Sequence, residues 1–106
     1  MGEAPTISTH VLDTEHGTPA RGIDVALYRM GDSGEPRVGG GRTDDDGRIH
    51  RLLDTDLIPG TYRLDFHVDG RFFLEASVTF VVEDASRSYH VPLLLAPYSL
   101  STYRGS

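Results

Sequence analysis

Five histidines are the side chains of this sequence best suited to acid–base chemistry at neutral pH, since an imidazole titrates near pH 6.5. His10 and His90 are each embedded among apolar residues with strand-like alternation, where a polar ring is costly unless it is hydrogen-bonded. The other three are His16 in a turn, His50, and His67 with the opposite parity to its apolar neighbours, and they are expected to face solvent. From the residues alone, a structural role is the simpler explanation of His10 and His90, and a catalytic role is the alternative.

The closing residues, Tyr103, Arg104, Gly105 and Ser106, place a phenol, a guanidinium, a glycine and a hydroxyl side by side. They follow an aliphatic run over Val91–Leu95. Chain ends usually fray, so one interpretation is a disordered tail. The other is that these four residues fold back to line a site.

Metal and phosphate chemistry find little support in the residue pattern. The chain has no cysteine, which excludes disulfides, thiolate zinc sites and cysteine nucleophiles. A zinc site of His10, His50 and His90 is the rival chemistry, but no HxH or HExxH spacing supports it. Asp44–Asp46 lack the later glutamate of a calcium loop, and Gly39–Gly41 lack the Lys-Ser/Thr of a phosphate loop. No cofactor and no metal are therefore expected.

Strand signals run through almost the whole sequence and must position these side chains. Apolar residues alternate with polar ones, glycine and proline separate the short runs, and no long stretch has helical period. The predicted strands cover Thr6–Leu12, Ile23–Met30, Arg48–Leu53, Thr61–Val68, Phe72–Val82 and Tyr89–Leu95 with a closing strand beyond. Roughly seven or eight short strands with frequent turns predict an all-β sandwich of two antiparallel sheets.

Face and loop assignments follow from the same alternation. In the first strand, Ile7, Thr9 and Val11 share one face, opposite Ser8, His10 and Leu12. In the strands after residue 60, the inward positions are predicted to be Tyr62, Leu64, Phe66 and Val68, and then Phe72, Leu74, Ala76, Val78, Phe80 and Val82. Gly31–Gly41 is predicted to be a loop, and Asp69-Gly70 is a type I′ turn signal.

Size and charge limit the functional classes. With 106 residues, one domain over 1–106 is expected. A formal net charge of −6 argues against a nucleic-acid partner. No apolar run is long enough to span a bilayer, and Met1–Pro5 has no signal-peptide pattern. A soluble, cytoplasmic protein without a membrane partner is therefore expected.

Three segments carry a resemblance to a known family. They are Ser8–Asp13 (STHVLD), Thr43–Ile49 (TDDDGRI), and His90–Leu95 (HVPLLL) taken with Ser101–Ser106 (STYRGS). Together they resemble the transthyretin-related proteins, the 5-hydroxyisourate hydrolases of urate breakdown. The YRGS ending separates these enzymes from transthyretin, the hormone carrier.

The resemblance implies a transthyretin-like fold and a cofactor-free hydrolase of purine metabolism. Such an enzyme opens the ring of 5-hydroxyisourate to 2-oxo-4-hydroxy-4-carboxy-5-ureidoimidazoline. The matched positions imply that His10 and His90 activate water and transfer protons and that Arg48 orients the substrate. Ser106 would donate its hydroxyl, and Tyr103, Arg104 and Gly105 would complete the substrate pocket. The family also implies a homotetramer with active sites at the dimer–dimer interface.

Two other functions remain as alternatives. One is a small-ligand carrier of the transthyretin type without turnover, and the other is an accessory β-sandwich module. The sequence also departs from the family pattern. Asp69-Gly70 joins two strands where relatives carry a short helix, so that helix is expected to be reduced or absent, and Ser88 and Ser99-Leu100 replace common family residues.

Overall fold

The structure, a computed structural model, describes residues 4–105, which form ten strands in two sheets. The larger sheet has the order β10-β9-β1-β2, and β5 and β8 also pair with β1. Its strands are β1 (Ile7–Asp13), β2 (Thr18–Pro19), β5 (Arg48–Ile49), β8 (Tyr89–His90), β9 (Leu93–Ala96) and β10 (Ser99–Thr102). The sheet is antiparallel except where β1 pairs in parallel with β8 and β9. The first strand is therefore the centre of this sheet.

The smaller sheet is antiparallel throughout, with the order β4-β3-β6-β7. Its strands are β3 (Asp24–Arg29), β4 (Arg37–Arg42), β6 (Gly60–His67) and β7 (Glu75–Val82). The longest pairing joins β6 to β7 over eight residue pairs, from Gly60 opposite Val82 to His67 opposite Glu75. This regular sheet supports one side of the core.

The core lies between the two sheets and is built by the predicted alternation. Ile7, Thr9 and Val11 of β1 are buried, while Ser8 and His10 between them are only half-buried. In β6 the side chains of Tyr62, Leu64 and Phe66 are fully buried, as predicted, and Val68 packs against them. The predicted all-β sandwich is confirmed. Ser8 and His10 lie on the face of β1 that points away from the core.

The predicted loop Gly31–Gly41 is confirmed for residues 31–36, which connect two strands, but it is wrong for the glycine run, which lies in a strand. Residues 37–42 form β4, which pairs with β3. A Cβ on Gly39 would lie 1.7 Å from the carbonyl oxygen of Leu52, and the Gly40 N–H donates to that same oxygen at 2.8 Å. The backbones approach so closely here that only glycine fits.

The connection between β6 and β7 is wider than the predicted type I′ turn. Asp69 has a φ of 55°, but Gly70 is not among the residues with positive φ, which a type I′ turn requires at both central positions. The Gly70 N–H donates to Phe73 O, so the strand begins only at Glu75, and Phe72 and Leu74 lie before it and are exposed. No helix occurs within residues 4–105, as expected for this connection, and so none there is able to cross a membrane.

Candidate active site

His10 and Arg48 lie side by side on the outer face of the larger sheet. They are direct partners in the antiparallel pairing of β1 with β5, where Thr9 faces Ile49 on the core side. Because cross-strand partners project to the same face, the imidazole and the guanidinium both leave the core. Within residues 4–105 the Arg48 guanidinium forms no ion pair within 4 Å, although the Asp44 carboxylate is near enough to attract it. It is available to bind an oxygen of a ligand.

A backbone carbonyl fixes the ring of His10. Its Nε2 lies 2.8 Å from the carbonyl oxygen of Asp46. A carbonyl oxygen can only accept, so Nε2 carries the proton and donates it. The neutral ring then has its lone pair at Nδ1. His10 is therefore held in one tautomer and one orientation.

The turn that presents this carbonyl is closed by Asp44. Its carboxylate oxygen Oδ1 accepts the N–H groups of Asp46 at 2.9 Å and Arg48 at 3.0 Å. These bonds, chiefly the one from Arg48, hold the pKa of Asp44 below its usual range. Gly47 turns the chain with a φ of 77°, and its N–H donates to Asp44 O at 2.9 Å. One carboxylate thus positions both the carbonyl that binds His10 and the backbone of Arg48.

His90 reaches the same face from the other side of β1. It pairs with Ser8 in the parallel register of β1 and β8, and Ser8 Oγ lies 2.9 Å from His90 Nδ1. Burial lowers the pKa of His90 below its ordinary value of 6.5, and the positive charges of Arg48 and His10 lower it further. The lowered pKa favours the neutral ring, which is able to accept a proton.

The closing residues contact this site through Gly105. The Gly105 N–H donates to His90 O at 2.8 Å, and a Cβ on Gly105 would lie 2.5 Å from His90 Cδ2. Arg104 turns away, with its guanidinium carbon 4.5 Å from the centre of the Tyr89 ring, a cation–π contact. Tyr103 is 55% exposed and, with Arg104, lines a groove of about 200 Å³ beside β7.

Within residues 4–105 the structure brings four of the seven predicted site residues together: His10, Arg48, His90 and Gly105. Tyr103 and Arg104 lie at the neighbouring groove. Ser106 is outside the described residues.

Sequence reasoning missed three supporting groups, which are Ser8, Asp44 and the carbonyl of Asp46. Two signals could have found them. Ser8 has the same strand parity as His10, and an aspartate three residues before a glycine is typical of a turn closed by its own side chain.

The remaining histidines lie elsewhere. His16 lies in an exposed turn, and its Nδ1 is 2.8 Å from Oδ2 of Asp13, the last residue of β1, which raises the pKa of His16. His67 is exposed on the smaller sheet. His50 is exposed, 3.9 Å from Asp44. The only cluster of three possible metal ligands within residues 4–105 is Asp13, Glu15 and His16, so His10, His50 and His90 do not form one.

Comparison with known proteins places these features in a family. The HIUase/Transthyretin family matches residues 7–105, HIUase being 5-hydroxyisourate hydrolase. A 5-hydroxyisourate hydrolase of Deinococcus radiodurans is 43% identical, with each chain fully covered. The structure of the Klebsiella pneumoniae 5-hydroxyisourate hydrolase superposes with a TM-score of 0.83 at 36% identity, covering 95% of this chain and 99% of that one. Sea bream transthyretin in complex with thyroxine gives a TM-score of 0.84 at 28% identity, with 93% of each chain covered.

The fold and the site together define a transthyretin-like β-sandwich that carries a His-Arg-His group on the outer face of one sheet. The chain belongs to the HIUase/Transthyretin family.

Proposed function

We propose that this protein is a 5-hydroxyisourate hydrolase of urate degradation. The observation that carries the proposal is the grouping of His10, Arg48 and His90 on one sheet face. The relatives named 5-hydroxyisourate hydrolase, at about 40% identity over nearly the whole chain, support the choice of substrate.

Ring opening needs an activated water, an oxyanion partner and a proton for the departing nitrogen. The water oxygen bonds to the ring carbonyl carbon, the ring C–N bond breaks, and the proton taken from water passes through an imidazole to that nitrogen. His10 and His90 supply the imidazoles. Arg48 binds substrate oxygen and stabilises the developing negative charge through its planar guanidinium. These residues perform each step without a metal.

The closing residues complete the pocket in this proposal. Gly105 lies against His90. Arg104 and Tyr103 line the neighbouring groove and bind the flat heterocycle of the substrate. Ser106 donates its hydroxyl to substrate or water.

The test is the decay of ultraviolet absorbance of freshly made 5-hydroxyisourate in the presence of a chelator. We expect the wild-type protein to accelerate the decay well above the spontaneous rate, and His90→Asn to lose the acceleration. His67→Asn, which changes an exposed histidine of the other sheet, is the matched control and should keep it. Wild-type decay at the spontaneous rate would remove the enzyme proposal and make a small-ligand carrier the next one to test.

We further propose a homotetramer with active sites between dimers. The His-Arg-His face is open to solvent in one chain. Among residues 4–105, β7 and β10 each end a sheet with an unpaired edge, a place where a second chain can pair. Val81 lies on the edge strand β7, and its side chain is 57% exposed. Sedimentation should give the mass of four chains, and Val81→Arg should lower both mass and activity. A fully active monomer would contradict this assembly.

The cytoplasmic location expected from the sequence is tested by cell fractionation. Activity in the cytosolic fraction supports it, and activity in a secreted or periplasmic fraction contradicts it.

A further inference from the structure

Ser8 is the side chain in hydrogen-bond contact with His90. The two residues are 82 positions apart in sequence, and Ser8 Oγ lies 2.9 Å from His90 Nδ1 in a half-buried position. The backbones around them are locked by parallel pairing, since Tyr89 N–H donates to Thr6 O and Val91 N–H donates to Ser8 O, both at 2.9 Å. The serine–histidine contact is therefore built into the sheet.

The two edges of the His90 ring face different neighbours. The Nδ1 edge faces Ser8, whereas Cδ2, which is bonded to Nε2, is the ring atom that a Cβ on Gly105 would approach most closely. Since Nδ1 is engaged by the hydroxyl, Nε2 is the nitrogen left for the substrate side. If the Ser8 hydroxyl accepts a hydrogen bond from Nδ1–H, Nε2 of the neutral ring has the lone pair. If the hydroxyl donates to Nδ1, Nε2 carries the proton.

We propose that Ser8 is a positioning residue whose hydroxyl oxygen accepts the Nδ1–H of His90, so that the Nε2 lone pair takes the proton of the attacking water. The inference rests on the proposed hydrolase function and names His90 Nε2 as the base. The same hydrogen bond persists once the ring is protonated, because both ring nitrogens are then donors. The Ser8 hydroxyl oxygen thus accepts the same hydrogen bond from the neutral ring and from the protonated ring.

A nucleophilic role for Ser8 is the competing chemistry, since its distance from Nδ1 also suits a serine–base pair. That role would need His90 to be oriented and charge-compensated by a third group. The charged neighbours acting on the ring are Arg48 and His10, both positive when charged, and no carboxylate acts on it within residues 4–105. The surroundings of His90 therefore favour an orienting hydroxyl over a Ser-His-acid arrangement.

The experiment combines nitrogen-15 NMR of histidine-labelled protein with steady-state kinetics. In the wild type, His90 should be the tautomer with the proton on Nδ1. Ser8→Ala should give a mixture of tautomers and lower kcat by roughly ten- to a hundredfold with little change in KM, as expected for a misoriented base. Ser8→Thr, which keeps the hydroxyl, should restore both. Ser33→Ala, in an exposed turn, is the control and should match the wild type.

Two results would overturn the inference. One is a wild-type His90 with its proton on Nε2, and the other is a substrate-derived ester on Ser8 found by mass spectrometry. The tautomer is read without substrate, so it decides the inference even if the wild type fails to open the ring, which would refute only the hydrolase proposal. It is also read on the wild type, so the inference stays testable if Ser8→Ala does not fold.

Discussion

Replacing Gly105 by alanine tests whether the closing residues and His90 work as one unit. The backbone of Gly105 does not have a positive φ, so alanine is tolerated by the local conformation. The new methyl group, however, would lie 2.5 Å from His90 Cδ2 and 3.2 Å from Cγ, where ordinary contacts begin at 3.4 Å. Either the closing residues or the ring must therefore move by about 1 Å.

The expected cost falls on catalysis and much less on stability. A displacement of about 1 Å at reacting groups lowers the rate by roughly a hundredfold, so kcat/KM for 5-hydroxyisourate should fall by about that factor. The fold should lose at most the single Gly105–His90 backbone hydrogen bond. Such a bond contributes about 1 kcal/mol, and for a domain of this size that lowers Tm by about 4–8 °C.

The assay pairs the absorbance decay with a thermal melt of the same preparation. Gly31→Ala is the control, because its new methyl group would make only an ordinary contact, 3.5 Å from Gly34 O. Wild-type kcat/KM in Gly105→Ala would refute the reasoning. So would a collapse of Tm as large as that of a core mutant, because the effect would then be on folding.

Three further predictions concern the close backbone contact at Gly39, the turn closed by Asp44 and the pKa of His90. Gly39→Ala should destabilise the fold by about 3 kcal/mol, seen in denaturant unfolding, because its methyl group would overlap the Leu52 carbonyl. Asp44→Ala should lower kcat/KM by roughly tenfold through the loosened turn, while Asp44→Asn, which keeps an accepting oxygen, should retain most of it. The acid limb of the rate profile should lie below pH 6.5, because the pKa of His90 is lowered, and Arg48→Gln should raise that pKa in an NMR titration.

Each of these has a contrary outcome. Unchanged unfolding of the Gly39 variant would mean that β4 can move away from its neighbour. Equal losses in the two Asp44 variants would assign the effect to charge and not to hydrogen bonding. For His90, a folded pKa below the unfolded one means stability is fully present above pH 6.5 and is lost as the pH falls through the folded pKa. Stability that rises on acidification through this range, with the other groups unchanged, would contradict the assignment.

The alternation of apolar and polar residues predicted which side chains of a single strand face the core. It placed Ile7 and Val11 in the core, and it predicted the buried face of β6 and the partly buried face of β7 that ends at Val82. It failed for Gly39–Gly41, because composition alone does not distinguish a flexible loop from a strand that meets another backbone closely. It failed for Phe72 and Leu74, whose parity is right but which precede the strand.

In the candidate site, too, the sequence predicted some residues and could not predict the contacts that depend on strand pairing. The likeness to a family proposed His10, Arg48 and His90 as a group, and the pairing of β1 with β5 and β8 explains how they come to lie together. No local pattern reveals that Ser8 bonds to a residue 82 positions away, because the contact depends on a parallel register. The turn of Arg104 toward Tyr89 likewise depends on the packing of the closing residues.

The parallel pairing of β1 with β8 and β9 makes this site a late product of folding. The sheet of β3, β4, β6 and β7 forms mostly between neighbours in sequence, whereas the parallel partners of β1 lie about 80 residues further on. On the ribosome, a growing chain would hold the completed smaller sheet and a β1 paired only with β2 and β5, until β8 and β9 emerged. His10 would then be without His90 until those strands add to β1, so no partly synthesised form would have the complete pair.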